Sequence, residues 1–198
     1  MSTSSSPRPK RMPPEQRERA ILDAAVALAR QNGIAGLTVR TVAAAAGVTP
    51  ALVAHYRPSM DAFVADVFGT IVGAEREEVM AAGRVAQGLR ERITRIVEML
   101  LDGDRDDVTL IWVQAWAAGA RNDELAARVR TEMDRWQQDL EAVVAEGVAA
   151  GEISAAHAEG AAWLLLATVD GMNAHSLVKW APEDRAGLAR RTVAAVLG

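Results

Sequence analysis

The chain has 198 residues, half of them hydrophobic, and its 22 Lys and Arg against 26 Asp and Glu leave a net charge of −4. That supply of apolar residues is enough for a sizeable core without covalent staples, and the absence of cysteine excludes disulfides, thiolate metal sites and thiol catalysis while suiting a reducing cytoplasm. No apolar run approaches the roughly 20 residues a bilayer span needs; the longest, 161–169, stops at Asp170.

Met1–Pro14 is rich in serine and proline and carries Arg8, Lys10 and Arg11 with no apolar segment behind them. It reads as a flexible basic arm over 1–13, not a signal peptide. Such an arm either lies in a DNA minor groove or is a solvating tail. Charge is unevenly spread. Residues 1–60 hold eight Lys and Arg against three acids, a net +5, while 61–198 hold fourteen against twenty-three, a net −9. Without the arm, 15–60 still carries +2. A basic module facing a polyanion, mounted on an acidic body, fits this asymmetry.

The remaining chain is predicted to be all-α, with about nine helices, because helix formers dominate and no period-two β-branched runs occur. The first helix is expected over Pro14–Asn32, with Ile21, Ala24, Ala25 and Leu28 as its apolar stripe. Thr38 caps a second helix ending near Ala46, and Gly47 supplies a left-handed turn. Thr49 caps a third helix that opens on Pro50 and closes before Pro58. Ser59 caps a fourth, reaching about Ala82. Five more follow, at about 86–102, 106–120, 123–150, 155–180 and 183–197. Asn122 caps the third of these, Ser154 the fourth, and Pro182 opens the last. The domains are thus expected at 14–60, a three-helix unit, and 61–198, a helical bundle.

Thr38–Tyr56 has the helix–turn–helix pattern that places a second short helix in a major groove. An ordinary helical hairpin shares the geometry, but not the order of Gly turn, Thr-Pro cap and His-Tyr end. Thr38-Val39-Arg40, Ala43 to Val48, Thr49, His55-Tyr56 and Pro58-Ser59 resemble the DNA-binding domain of the tetracycline-repressor (TetR) family over residues 15–63. Trp112, Trp116, Trp136, Glu146-Gly147, Ala150-Gly151-Glu152 and Asp170-Gly171 are similar to the regulatory domain of its betaine-responsive (BetI-type) members.

The resemblance implies a repressor on double-stranded palindromic DNA, released by a small-molecule effector. It implies phosphate contacts from the hydroxyls of Thr38, Thr49 and Tyr56. Arg40 is a candidate for phosphate or guanine, and His55 for backbone or base edge unless it is a plain surface residue. Pro50, Ala51, Leu52 and Ala54 offer apolar contacts to the groove. Where the family usually has an aromatic and a lysine, this chain has Arg57 and Met60. Met60 cannot bind phosphate as that lysine would, so Arg57 is expected to do so in its place.

Candidate effector contacts are Ile96, Met99, Leu100, Trp112, Trp116, Met133 and Trp136, which could equally be plain core; three tryptophans could cage an organic cation. Asp170 is a ligand contact or a structural acceptor, with Asn173 beside it. Ala161–Val169 is apolar all round, so one face is expected to pack against a second subunit together with the last helix. His55, His157 and His175 lack metal-ligand spacing, and no phosphate loop or nucleophile elbow is present. Hence no enzyme activity, metal or cofactor is expected, and no membrane partner. The rival reading is a helical interaction protein of the same fold that has lost DNA binding.

Overall fold

The computed structural model describes residues 13–180 and 183–198 and is helical, with no strand among the described residues. The basic arm with Arg8, Lys10 and Arg11, and Pro182, lie outside the described residues. Helix α1 runs Pro14–Asn32, α2 Val39–Ala46, α3 Pro50–Tyr56 and α4 Met60–Gly83. Then come α5 Leu89–Leu100, α6 Asp106–Gly119, α7 Asp123–Ala149, α8 Ala155–Ala158, α9 Ala161–Ser176 and α10 Arg185–Leu197. Short 3-10 turns occupy Ile34–Gly36 and Gly103–Arg105.

Side-chain caps set most of the helix starts. Thr38, Thr49, Ser59, Asn122 and Ser154 each accept the backbone N–H three residues on, which removes one orphan donor apiece. The stripe of α1 is Ile21, Ala25 and Ala29, so the buried line passes through Ala29, while Ala24 and Leu28 flank it half-buried.

The helix expected over 155–180 is broken. Glu159 turns extended and Gly160 adopts a left-handed φ of 71°, which leaves the single turn α8 before α9 and lets the chain redirect. Only glycine takes that conformation without strain. The final helix starts at Arg185, where Asp184 accepts the Gly187 N–H at 2.7 Å, a few residues later than the expected start at 183.

Two cores form, and α4 passes through both. The first joins α1 to α3 with Phe63, Val67, Phe68 and Ile71 of α4, Val108, Ile111 and Ala115 of α6, and Leu125 and Val129 of α7. The second joins Val79 and Met80 of α4 with α5, α7, α9 and α10. Packing therefore does not stop at residue 60: the N-terminal unit completes its core with helices from beyond that boundary. Full burial of a large apolar side chain is worth about 1.5–3 kcal/mol, so Phe63 and Phe68, at 1% and 0% exposed, weld α4 to the first three helices and to α6.

Polar contacts reinforce the weld. Arg30 at the end of α1 donates to Asp107 Oδ2 at 2.8 Å, and the Ala35 N–H donates to Gln114 Oε1 at 3.0 Å. On the far side, Arg76 of α4 pairs with Asp139 of α7. Glu132, 1% exposed, accepts from Arg128 at 2.8 Å and Arg135 at 2.9 Å, the pairing a buried carboxylate requires.

Candidate functional site

The turn between α2 and α3 is built from Gly47, at φ 64° and ψ 33°, whose N–H reaches the Ala43 and Ala44 carbonyls. Val48 N–H then donates to Ala43 O at 3.0 Å. This left-handed closure turns α3 across α2 and buries Val42, Ala43 and Val53 between them. Thr38 and Thr41 form a reciprocal capping box, and Thr41 Oγ1 also donates to Gly36 O at 2.8 Å.

What remains outward is one face carrying Thr38, Arg40, Thr49, Pro50, Ala51, Ala54 and His55, all exposed. Leu52 and Tyr56 are half-buried, and the Tyr56 ring packs onto the core with His55 edge-on at 5.2 Å. The face is small-sided, uncharged along α3 and flanked by the Arg40 guanidinium. A small-sided helix with hydroxyls at its start and a cation beside it can lie close to a duplex, hydroxyls donating to phosphates and apolar side chains against base edges.

Arg57 does not join that face. Its guanidinium sits 3.3 Å from Glu18 of α1 and 3.2 Å from Asp66 of α4, and lies 4.9 Å over the Phe63 ring. At 16% side-chain exposure it is a strut between α1 and α4, drawn inward by two carboxylates. Met60 packs half-buried against the same core, so neither residue offers a cation to a phosphate in this arrangement. Arg57→Ala is therefore expected to lower stability by about 1 kcal/mol, since both partner carboxylates are half exposed. That corresponds to a melting point lower by about 2–4 °C. The slope of log affinity for DNA against log salt should not change. A slope flatter by about one unit would assign Arg57 to a phosphate after all.

The second candidate feature is a cavity of about 250 Å³, open on one side and lined by α4, α5, α6, α7 and α9. Leu100, Trp112, Trp116, Met133, Trp136, Asp170 and Asn173 all stand on its wall. Ile96 does not: it is 1% exposed within the second core. Met99 packs on that core and faces a different groove. Sequence reasoning missed Glu75, Asp134, Gln137 and Trp163, which also line the cavity.

Four of the chain's five tryptophans thus surround one space. Trp112 stands edge-on to Phe68 at 5.0 Å and 5.8 Å from Trp116. The charged groups on the wall are Glu75, Asp134 and Asp170, all acidic. Burial pushes Glu75 up to about 7, although Trp112 Nε1 donates to it at 3.4 Å and Arg105 stands 4.0 Å away. Desolvation outweighs those two partners because neither contact is short. Burial likewise pushes Asp170 up to about 6. Asn173 is a clip instead, its Nδ2 donating to Leu100 O at 2.8 Å. Trp116 Nε1 is buried without a partner among the described residues. Among the described residues no cluster of His, Asp or Glu could hold a metal.

The family described as "BetI-type transcriptional repressor, C-terminal" matches residues 89–198, and "Bacterial regulatory proteins, tetR family" matches 21–67. The HTH-type transcriptional regulator BetI of Rhizobium meliloti is 26% identical over 168 residues, covering 84% of this chain and 80% of that protein. Among solved structures, a transcriptional regulator from Saccharomonospora viridis in complex with choline superposes with a TM-score of 0.77 at 22% identity, covering 91% of this chain and 95% of the other. The regulator FadR from Bacillus subtilis in complex with stearoyl-CoA superposes with a TM-score of 0.72 at 17% identity, covering 91% and 97%. At these identities the two structures speak to the fold.

Proposed function

The chain belongs to the TetR family of transcriptional regulators, with a BetI-type C-terminal part, and from that premise we propose that it is a cytoplasmic repressor whose hold on a palindromic operator is released by a small organic cation. Members of this family bind DNA and small-molecule effectors and typically dimerise. The observation that carries the effector class is the cavity wall: four tryptophans and three carboxylates, with no Lys, Arg or His among the described residues that line it. Aromatic faces and carboxylates attract a cation whose solvation shell is weak, and the same wall repels an anion.

In the proposed DNA complex two copies of α3 enter successive major grooves about 34–36 Å apart. Thr38, Thr49 and Tyr56 donate to phosphates, Arg40 contacts phosphate or guanine, and Pro50, Ala51, Leu52, Ala54 and His55 meet the groove. Dimerisation runs through α9 and α10, consistent with a helix whose segment Ala161–Val169 is apolar on more faces than its own core uses.

Effector and DNA are coupled through α6 and α4. Helix α6 presents Trp112 and Trp116 to the cavity and grips α1 and the following turn through Asp107 and Gln114. Helix α4 presents Glu75 to the cavity and carries Phe63 and Phe68 in the core of the reading unit. A cation that draws Glu75 and the α6 tryptophans together favours a different spacing of the two α3 helices, a population shift set by its differential affinity for the two states.

The test is a selection of bound duplexes from a random pool, followed by polarisation titration of the winner with and without millimolar choline. The reading predicts a two-fold symmetric site whose affinity falls steeply with salt and drops at least tenfold with choline. An enriched pool without symmetry, or no enrichment, contradicts it.

A further inference from the structure

A second cavity, of about 510 Å³, lies at one end of the second core, where α9 ends and α10 begins. Met172 and Ser176 line it, and at helical spacing they continue the buried line of Leu165 and Val169. The cavity therefore sits on the inner side of α9. Leu101, Met172 and Leu188 give it apolar walls, and Trp180 stands at its mouth, 71% exposed. The His175 ring, also on the wall, meets Trp180 edge-on at 4.9 Å.

Its charge is opposite to that of the tryptophan-walled cavity. Lys179 and Arg185 line it, and no Asp or Glu does so among the described residues. Arg185 Nη1 donates to Leu101 O at 3.0 Å and stands 3.9 Å from Asp106 Oδ1. The other N–H groups of its planar fork stay open to a ligand. Lys179 has no carboxylate partner among the described residues.

That lysine also stands where a glycine is due. Helix α9 closes with the Trp180 N–H donating to His175 O at 3.2 Å and the Lys179 N–H to Ser176 O at 2.8 Å. These are the paired bonds of a left-handed helix cap, whose usual central residue is glycine. Here Lys179 takes φ 60°, the one non-glycine residue among those described with a positive φ. A side chain costs free energy in that conformation, and a strained residue beside a cavity points to a use for its side chain. The strain holds a cationic side chain at the mouth, next to Trp180.

We infer that this cavity is a second ligand site, for a small organic anion that joins a carboxylate to an apolar ring. The carboxylate accepts from Lys179 and Arg185, in charge-assisted bonds about twice as strong as neutral ones. The ring lies between Trp180 and the walls of Leu101, Met172 and Leu188, where apolar burial and aromatic contact add to its hold. The site does not depend on what the tryptophan-walled cavity takes, and a cation bound there would be repelled here.

Benzoate is the probe, titrated calorimetrically into the full chain, with benzamide and acetate as controls. Benzamide keeps the ring without the charge, and acetate keeps the charge without the ring. Benzoate is expected to saturate one site per chain at millimolar concentration or below, with both controls at least tenfold weaker. Lys179→Gly removes the ammonium and relieves the backbone, so it should melt no lower than the native chain. Its benzoate affinity should fall at least tenfold. Trp180→Ala gives an independent reading, because that side chain is largely in solvent and its loss leaves the fold intact. It should weaken benzoate at least tenfold as well. No saturable benzoate binding, or benzamide or acetate binding as tightly as benzoate, overturns the inference. Native-strength benzoate binding by either variant overturns it too.

Discussion

Ala54→Glu is expected to weaken operator binding at least a hundredfold while leaving the thermal melt unchanged within about 1 °C. Ala54 is exposed on α3, so a longer side chain meets solvent in the free protein, and surface changes of this kind usually stay within about 0.5 kcal/mol of stability. Facing DNA, the same carboxylate meets the phosphate array, where like-charge juxtaposition costs several kcal/mol. Ala54→Lys serves as the control: it should keep binding and steepen the salt dependence by about one phosphate. The measurement is polarisation of a labelled operator duplex at several salt concentrations. Equal affinities for the Glu variant and the native chain would remove α3 from the interface.

Asp170→Asn is expected to lose tenfold to a hundredfold in choline affinity and at the same time to stabilise the protein. Burial holds Asp170 near pKa 6 and Glu75 near 7, both above their ordinary values of 3.8 and 4.5. Between pH 4 and 7 the native state therefore keeps protons that the unfolded chain releases, and stability falls as pH rises through that window. For Asp170 the shift of roughly two units amounts to about 2–3 kcal/mol, which the asparagine removes along with its share of the pH slope. Cation binding runs the other way. It needs the ionised carboxylates, so native affinity for choline should drop more than tenfold from pH 7.5 to 5.5 and release protons as the complex forms. Melting curves and choline titrations across that range check both signs. Unchanged choline affinity in the variant would place the effector elsewhere.

Much of the fold was open to reading because caps and turns are local. Thr38, Thr49, Ser59 and Asn122 cap the helices their side chains announce, and Gly47 makes the turn its position demands. The break at Gly160 was hidden: a glycine inside a helical pattern is tolerated as often as it terminates, and nothing next to it in sequence distinguished the two. Arg57 shows a different limit. The Met60 departure from the family pattern suggested it as a substitute phosphate contact, but the carboxylates that claim it, Glu18 and Asp66, come from α1 and α4, and tertiary pairing leaves no local trace.

The cavity was half legible. Trp112, Trp116 and Trp136 stood out by type and spacing, whereas Ile96 has the same helical period but points into the core. Glu75 left a signal that went unused. Phe68, Val72 and Val79 form a buried stripe on α4, and Glu75 falls on it at helical spacing, a carboxylate where an apolar residue is due. Trp163 left none, since every side of Ala161–Val169 is apolar and the sequence does not say which side meets the cavity.

Hydroxyl-radical footprinting of the selected operator, done with and without choline, measures the reading geometry and its control together. The account predicts two protected patches related by two-fold symmetry and centred about one helical turn apart, both fading together as choline is added. A single asymmetric patch, or a symmetric pair that choline at saturating concentration leaves untouched, would contradict it.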